Sequence, residues 1–107
     1  DYIDYLRERE YPFIRCGADR VDLRGAVREL EERFGVARVV SDSGPDLNDA
    51  LIREGIVDTI SLIVYPVIAG EGEKKLFGRA GGRVALELQT AVPMESGAVH
   101  LMYTAKR

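Results

Sequence analysis

The residues best placed to do chemistry lie in one stretch, Val39-Val40-Ser41-Asp42-Ser43-Gly44-Pro45-Asp46-Leu47. A β-branched run stops at an acidic residue, a Gly-Pro turn follows, and an amphipathic helix opens at Asp46. Gly55 ends that helix, and another apolar run begins at Ile56. Such a β-turn-α-β unit presents the free backbone N–H groups of a helix N-terminus beside the carboxyl end of a strand. Open α/β sheets bind phosphates and nucleotides there. By spacing alone the stretch predicts an anion site, and an ordinary Gly-Pro turn accounts for the same residues. Asp46 opposes an anion, so its side chain is expected to turn away and cap the helix.

Other chemistry is poorly represented. Around its one cysteine and one histidine the sequence shows no Ser-His-Asp, Cys-His or metal-spacing constellation. His100 falls within a strand pattern and reads as structural. Cys16 cannot form an internal disulfide, and its neighbours Phe13 and Ile14 suggest a small buried side chain, as in a reducing cytoplasm. Gly70-Glu71-Gly72 has the spacing of a phosphate cradle. Glu71 and Glu73 would repel an anion there, so the segment reads as a surface loop.

The composition, 46% apolar and 31% charged, is that of a globular domain, and the length allows one domain at most. The formal net charge is -3, with both signs interleaved, which disfavours a nucleic-acid or anionic-membrane partner. No apolar run approaches the roughly 20 residues of a membrane span, and no signal peptide is visible.

The elements that must position these residues follow from periodicity. Asp1 to Arg9 reads as a short helix already under way, with Tyr2, Ile3, Tyr5 and Leu6 as its apolar positions. Tyr11 to Gly17 reads as a short strand. Asp22 can cap a helix from Leu23 to Phe34 that carries Leu23, Ala26, Val27, Leu30 and Phe34 at helical spacing, with Gly35 at its stop. Val36 to Val40 is a β-branched strand and Leu47 to Glu54 a helix. Thr59 to Tyr65 has the near-continuous apolar character of a strand covered on both faces. Strands at Arg83 to Val92 and Val99 to Ala105 are joined through Pro93-Met94-Glu95-Ser96-Gly97. The order β-α-β-α-β-β-β predicts one α/β domain with a mixed sheet, a parallel half finished by an antiparallel hairpin. Its few helices cannot cover both faces, so a partner or further chain is expected to cover the rest.

The wording of two segments goes further. Asp42-Ser43-Gly44-Pro45-Asp46-Leu47…Leu51…Gly55-Ile56-Val57-Asp58 and Pro66…Gly70-Glu71-Gly72…Leu76-Phe77-Gly78 resemble the dihydrofolate-reductase-like reductase domain of riboflavin biosynthesis. The resemblance covers nearly the whole chain, which looks like the C-terminal half of that domain. Thr59 departs from the family's glutamate. The resemblance implies NADPH-dependent reduction of the ribosyl side chain of a (di)aminopyrimidinone 5′-phosphate to ribityl. It would lay Gly44, Pro45, Asp46 and Leu47 against the cofactor diphosphate. It also sets Asp42 where the family carries a substrate-contacting carboxylate, usually glutamate; the shorter Asp42 leaves a strand-end cap as the competing reading. Dihydrofolate reductases have a cis peptide at the matching turn, a geometry Gly44-Pro45 can adopt at about 0.5–1 kcal/mol. A homodimer joined through the hairpin is implied as well. The competing reading is a non-catalytic α/β module that keeps this fold for assembly or nucleotide binding.

Overall fold

The computed structural model describes residues 1–71, 75–78 and 82–106. The glycine-rich excursion of 70–82 therefore lies partly outside the described residues, Gly72 and Glu73 included. The chain divides into two compact units, Asp1–Val40 and Ser41–Arg107.

The first unit holds two helices. Helix α1, Tyr2–Glu8, is opened by a capping box in which the Asp4 amide donates to the Asp1 carboxylate at 2.9 Å. Helix α2, Leu23–Phe34, has the limits its periodicity predicts. The Asp22 carboxylate caps it by accepting from the Gly25 amide at 3.0 Å, an arrangement worth about 1 kcal/mol. Gly35 ends it in the left-handed region at φ 65°, where a glycine escapes the Cβ clash. Leu23, Ala26, Val27 and Leu30 are half-buried, as are Ile3, Leu6, Phe13, Ile14 and Cys16. Cys16 is thus less enclosed than its apolar neighbours suggest.

The strands expected at 11–17 and 36–40 are absent, and local bonding explains both. Pro12 offers no ladder donor, and the Cys16 carbonyl accepts from the Asp22 amide, closing a turn instead of extending a strand. Val36 is taken up by the end of α2, its amide donating back to the Leu30 carbonyl at 3.2 Å. A β-branched run without a ladder partner is not a strand.

The second unit opens with α3, Pro45–Arg53, which starts two residues earlier than its apolar spacing implies. Three strands follow: β1, Thr59–Val64; β2, Leu86–Pro93; and β3, Val99–Ala105. They form an antiparallel sheet in the order β1-β3-β2. Among the described residues the parallel half of the expected mixed sheet is not formed: β1 finds its partner in β3 of the hairpin. That also overturns the view of β1 as a strand covered on both faces. It is an edge strand, half-buried at Ile60 and Leu62 and exposed at Ile63 and Val64.

The hairpin follows its sequence pattern. The Met94 amide donates to the Ala98 carbonyl at 2.8 Å, and Ala98 is fully buried. A bulge between Leu88 and Thr90 shifts the β2 register. The antiparallel register places Ile60, Leu62 and Val64 beside Tyr103, Leu101 and Val99 on one sheet face. Leu86, Leu88 and Ala91 join them from β2. The opposite face carries Ser61, Met102, His100 and Thr90. Among the described residues only Ala98 and Asp49 are fully buried, and Val67 and Ile68 stand 75% and 99% exposed. Apolar side chains are plentiful, but little closes over them.

Candidate functional site

The site is built around the start of α3. Gly44 is the N-cap residue and Pro45 the first helical residue. Proline suits that position, since its fixed φ is helical and its missing N–H would find no intrahelical acceptor. The Gly44–Pro45 bond is trans, correcting the expected cis geometry. Pro45 thus opens the helix instead of shaping a cis turn. Asp46 does not cap the helix: it is the second helical residue, and the N-cap, being glycine, provides no side-chain acceptor. The first backbone bond of the helix, Asn48 N–H to the Gly44 carbonyl, is 3.2 Å. The N–H groups of Asp46 and Leu47 precede it and receive no side-chain cap among the described residues, so they carry the positive end of the helix dipole. Asp46 places one carboxylate in that first turn.

Gly44 itself is extended, at φ -75° and ψ -178°, and a Cβ built on it would meet nothing among the described residues within 4 Å. Open space therefore lies against the backbone at the mouth of the helix. This fits the close approach of a diphosphate, the test a nucleotide cofactor must pass here. Asp42 is exposed and outside any regular element, two residues before Gly44.

Two residues that the sequence reading did not single out organise the surroundings. The Asn48 side-chain amide donates to the Ser43 carbonyl and to the Leu76 carbonyl, each at 3.2 Å. The neighbouring Asp49 is 5% exposed, and its carboxylate accepts from the Gly78 amide at 3.1 Å. Bonds of this charged kind contribute about 1.5–3 kcal/mol. The two quoted motifs, Asp42–Leu47 and Leu76-Phe77-Gly78, are thereby brought together. A signal was present: Asn and Asp are poor residues for a helix interior unless their side chains bond elsewhere. Asp46, Asp49, Arg53, Lys75 and Gly78 line a surface hollow of about 560 Å³ beside this junction.

The remaining candidates lie elsewhere. His100 Nε2 is 2.7 Å from Ser61 Oγ across β3 and β1, a cross-strand tie that matches its structural reading. Among the described residues no three His, Cys, Asp or Glu side chains are grouped to hold a metal ion. No helix among them is long and apolar enough to cross a membrane.

Comparison with known proteins places this geometry. A pyrimidine reductase-like protein from Corynebacterium diphtheriae superposes with a TM-score of 0.85 at 22% identity, over 98% of this chain and 43% of that one. RibD from Acinetobacter baumannii gives 0.81 at 15% identity, over 96% of this chain and 29% of its own. These likenesses establish a shared α/β fold, and the chain spans less than half the length of either structure. Residues 3–100 match the RibD C-terminal domain family. The chain belongs to that family, the reductase family of riboflavin biosynthesis.

Proposed function

We propose that the full-length protein is an NADPH-dependent reductase that converts the ribosyl chain of a (di)aminopyrimidinone 5′-phosphate to ribityl. The observation that carries this reading is the uncapped N-terminus of α3 with open space against Gly44, set in the family's own motif. RibD-like reductases generally use NADPH, and Gly44, Pro45, Asp46 and Leu47 are the residues that would meet its diphosphate. When bound, the cofactor supplies the hydride. The protein's part is to orient: the Asp46 and Leu47 amides attract negative charge, and Gly44 leaves room for it. Asp42 is the carboxylate assigned to the substrate.

The full-length protein is expected to bind NADPH saturably and to oxidise it only when the pyrimidine phosphate is present. No saturable NADPH binding in a titration would favour the non-catalytic α/β module instead.

The assembly we propose is a cytoplasmic homodimer that buries the β2–β3 hairpin about a twofold axis, with Leu101 or Met102 near its centre. All seven residues of β3 are only half-buried, and exposed Leu88 and Val92 stand on β2 beside them. Apolar area of this kind is what a symmetric interface covers. Light scattering on the full-length protein at micromolar concentration should give twice the chain mass. A monomer mass would mean that the hairpin is covered within its own chain.

A further inference from the structure

We propose that Asn48 and Asp49 are positioning residues of the cofactor site, a role that rests on the NADPH reading of Gly44–Leu47. Together they hold the Ser43–Gly44 turn and the 75–78 segment as one unit. The geometry is specific. An amide –NH₂ has two donors, and Asn48 spends one on the Ser43 carbonyl and the other on the Leu76 carbonyl. Asp49 then accepts from the Gly78 amide, two residues further along the same segment. A carbonyl and an amide that flank one residue are the groups a neighbouring β-strand would engage. Side chains of α3 supply that partner here, gripping the chain on either side of Phe77.

Two features indicate that the grip is built. Asp49 is the only fully buried charged residue among those described, so its carboxylate is fixed in place by its surroundings. Gly78 is fitted to it: a Cβ there would lie 3.1 Å from Asp49 Oδ2, tighter than ordinary contact allows. The bond to Ser43 bears directly on the site, because Ser43 immediately precedes the glycine that must stay open to the diphosphate. The bonds to Leu76 and Gly78 bear on it through Lys75, which lines the hollow shared with Asp46, Asp49 and Arg53. A released segment would carry that cation away from the two carboxylates on the lining.

The test uses the full-length protein and three variants, Asn48→Ala, Asp49→Ala and Asp49→Asn. Alanine at position 48 suits a helix interior, and asparagine at position 49 keeps an oxygen that can accept from Gly78. Without ligand, hydrogen exchange at the Gly78 amide should accelerate at least tenfold in Asn48→Ala and Asp49→Ala and stay near wild type in Asp49→Asn. The NADPH dissociation constant of Asn48→Ala should rise about tenfold, with kcat at saturating NADPH within twofold of wild type. Faster exchange with unchanged NADPH affinity overturns the positioning role while leaving the cofactor reading intact. Unchanged exchange in both alanine variants overturns the grip itself. A wild-type protein that takes up no NADPH overturns the cofactor reading, and this role with it.

Discussion

The 107-residue chain on its own is expected to show no reductase activity. A hydride donor and acceptor must be held about 3–3.5 Å apart, and such positioning supplies about 7–11 kcal/mol of the barrier. The described structure offers one lip of a cleft, the mouth of α3 with the 75–78 segment tied to it. Tyr65, Val67 and Ile68 stand exposed, and among the described residues full burial is reached only at Ala98 and Asp49. Open apolar surface of this kind neither excludes water nor fixes two reactants. The assay is NADPH oxidation on the pyrimidine phosphate, with the full-length protein as the positive control. Robust turnover by the isolated chain would show that one lip is enough and would sink this expectation.

Helices were far more legible in the sequence than strands, and the reason is where their bonding partners lie. The limits of α2 can be read from Asp22, the spacing of its apolar residues and Gly35, because every bond that defines a helix is local. Strand β3 and the turn at Met94–Gly97 are legible for a similar reason, since a hairpin partner is close in sequence. The runs at 11–17 and 36–40 have the composition of strands, but a ladder requires a second strand that composition does not name. Strand β1 shows the same ambiguity from the other side. Its apolar run suits a buried parallel strand, yet it pairs antiparallel with β3 some forty residues away.

At the site the glycine-proline turn was readable, while its bonding was not. Pro45 reads as a turn residue, but whether it shapes a cis turn or opens a helix depends on the backbone of Gly44. Asp46 fits the cap preference by type and still lies two residues past the N-cap position. Asn48 and Asp49 escaped notice because their partners, Leu76 and Gly78, are almost thirty residues away. Only a folded chain shows that these two separate segments meet through adjacent side chains of α3.

Replacing Gly44 by valine in the full-length protein should weaken NADPH binding at least tenfold, about 1.4 kcal/mol, while the fold persists. The structure separates these two effects unusually well for a glycine. Gly44 has φ -75°, a value any residue adopts, so no backbone strain follows from the change. A Cβ at this position meets no atom of the described residues within 4 Å, so none of them must move. No cap is lost either, since glycine contributes no side-chain bond to α3. What the branched side chain does occupy is the open space at the helix mouth, where the diphosphate must come against the backbone. The thermal midpoint should therefore stay close to wild type while the dissociation constant rises. An unchanged constant by titration would remove Gly44 from the cofactor site. A collapse of the fold would instead reveal packing at Gly44 that the open space around it does not contain.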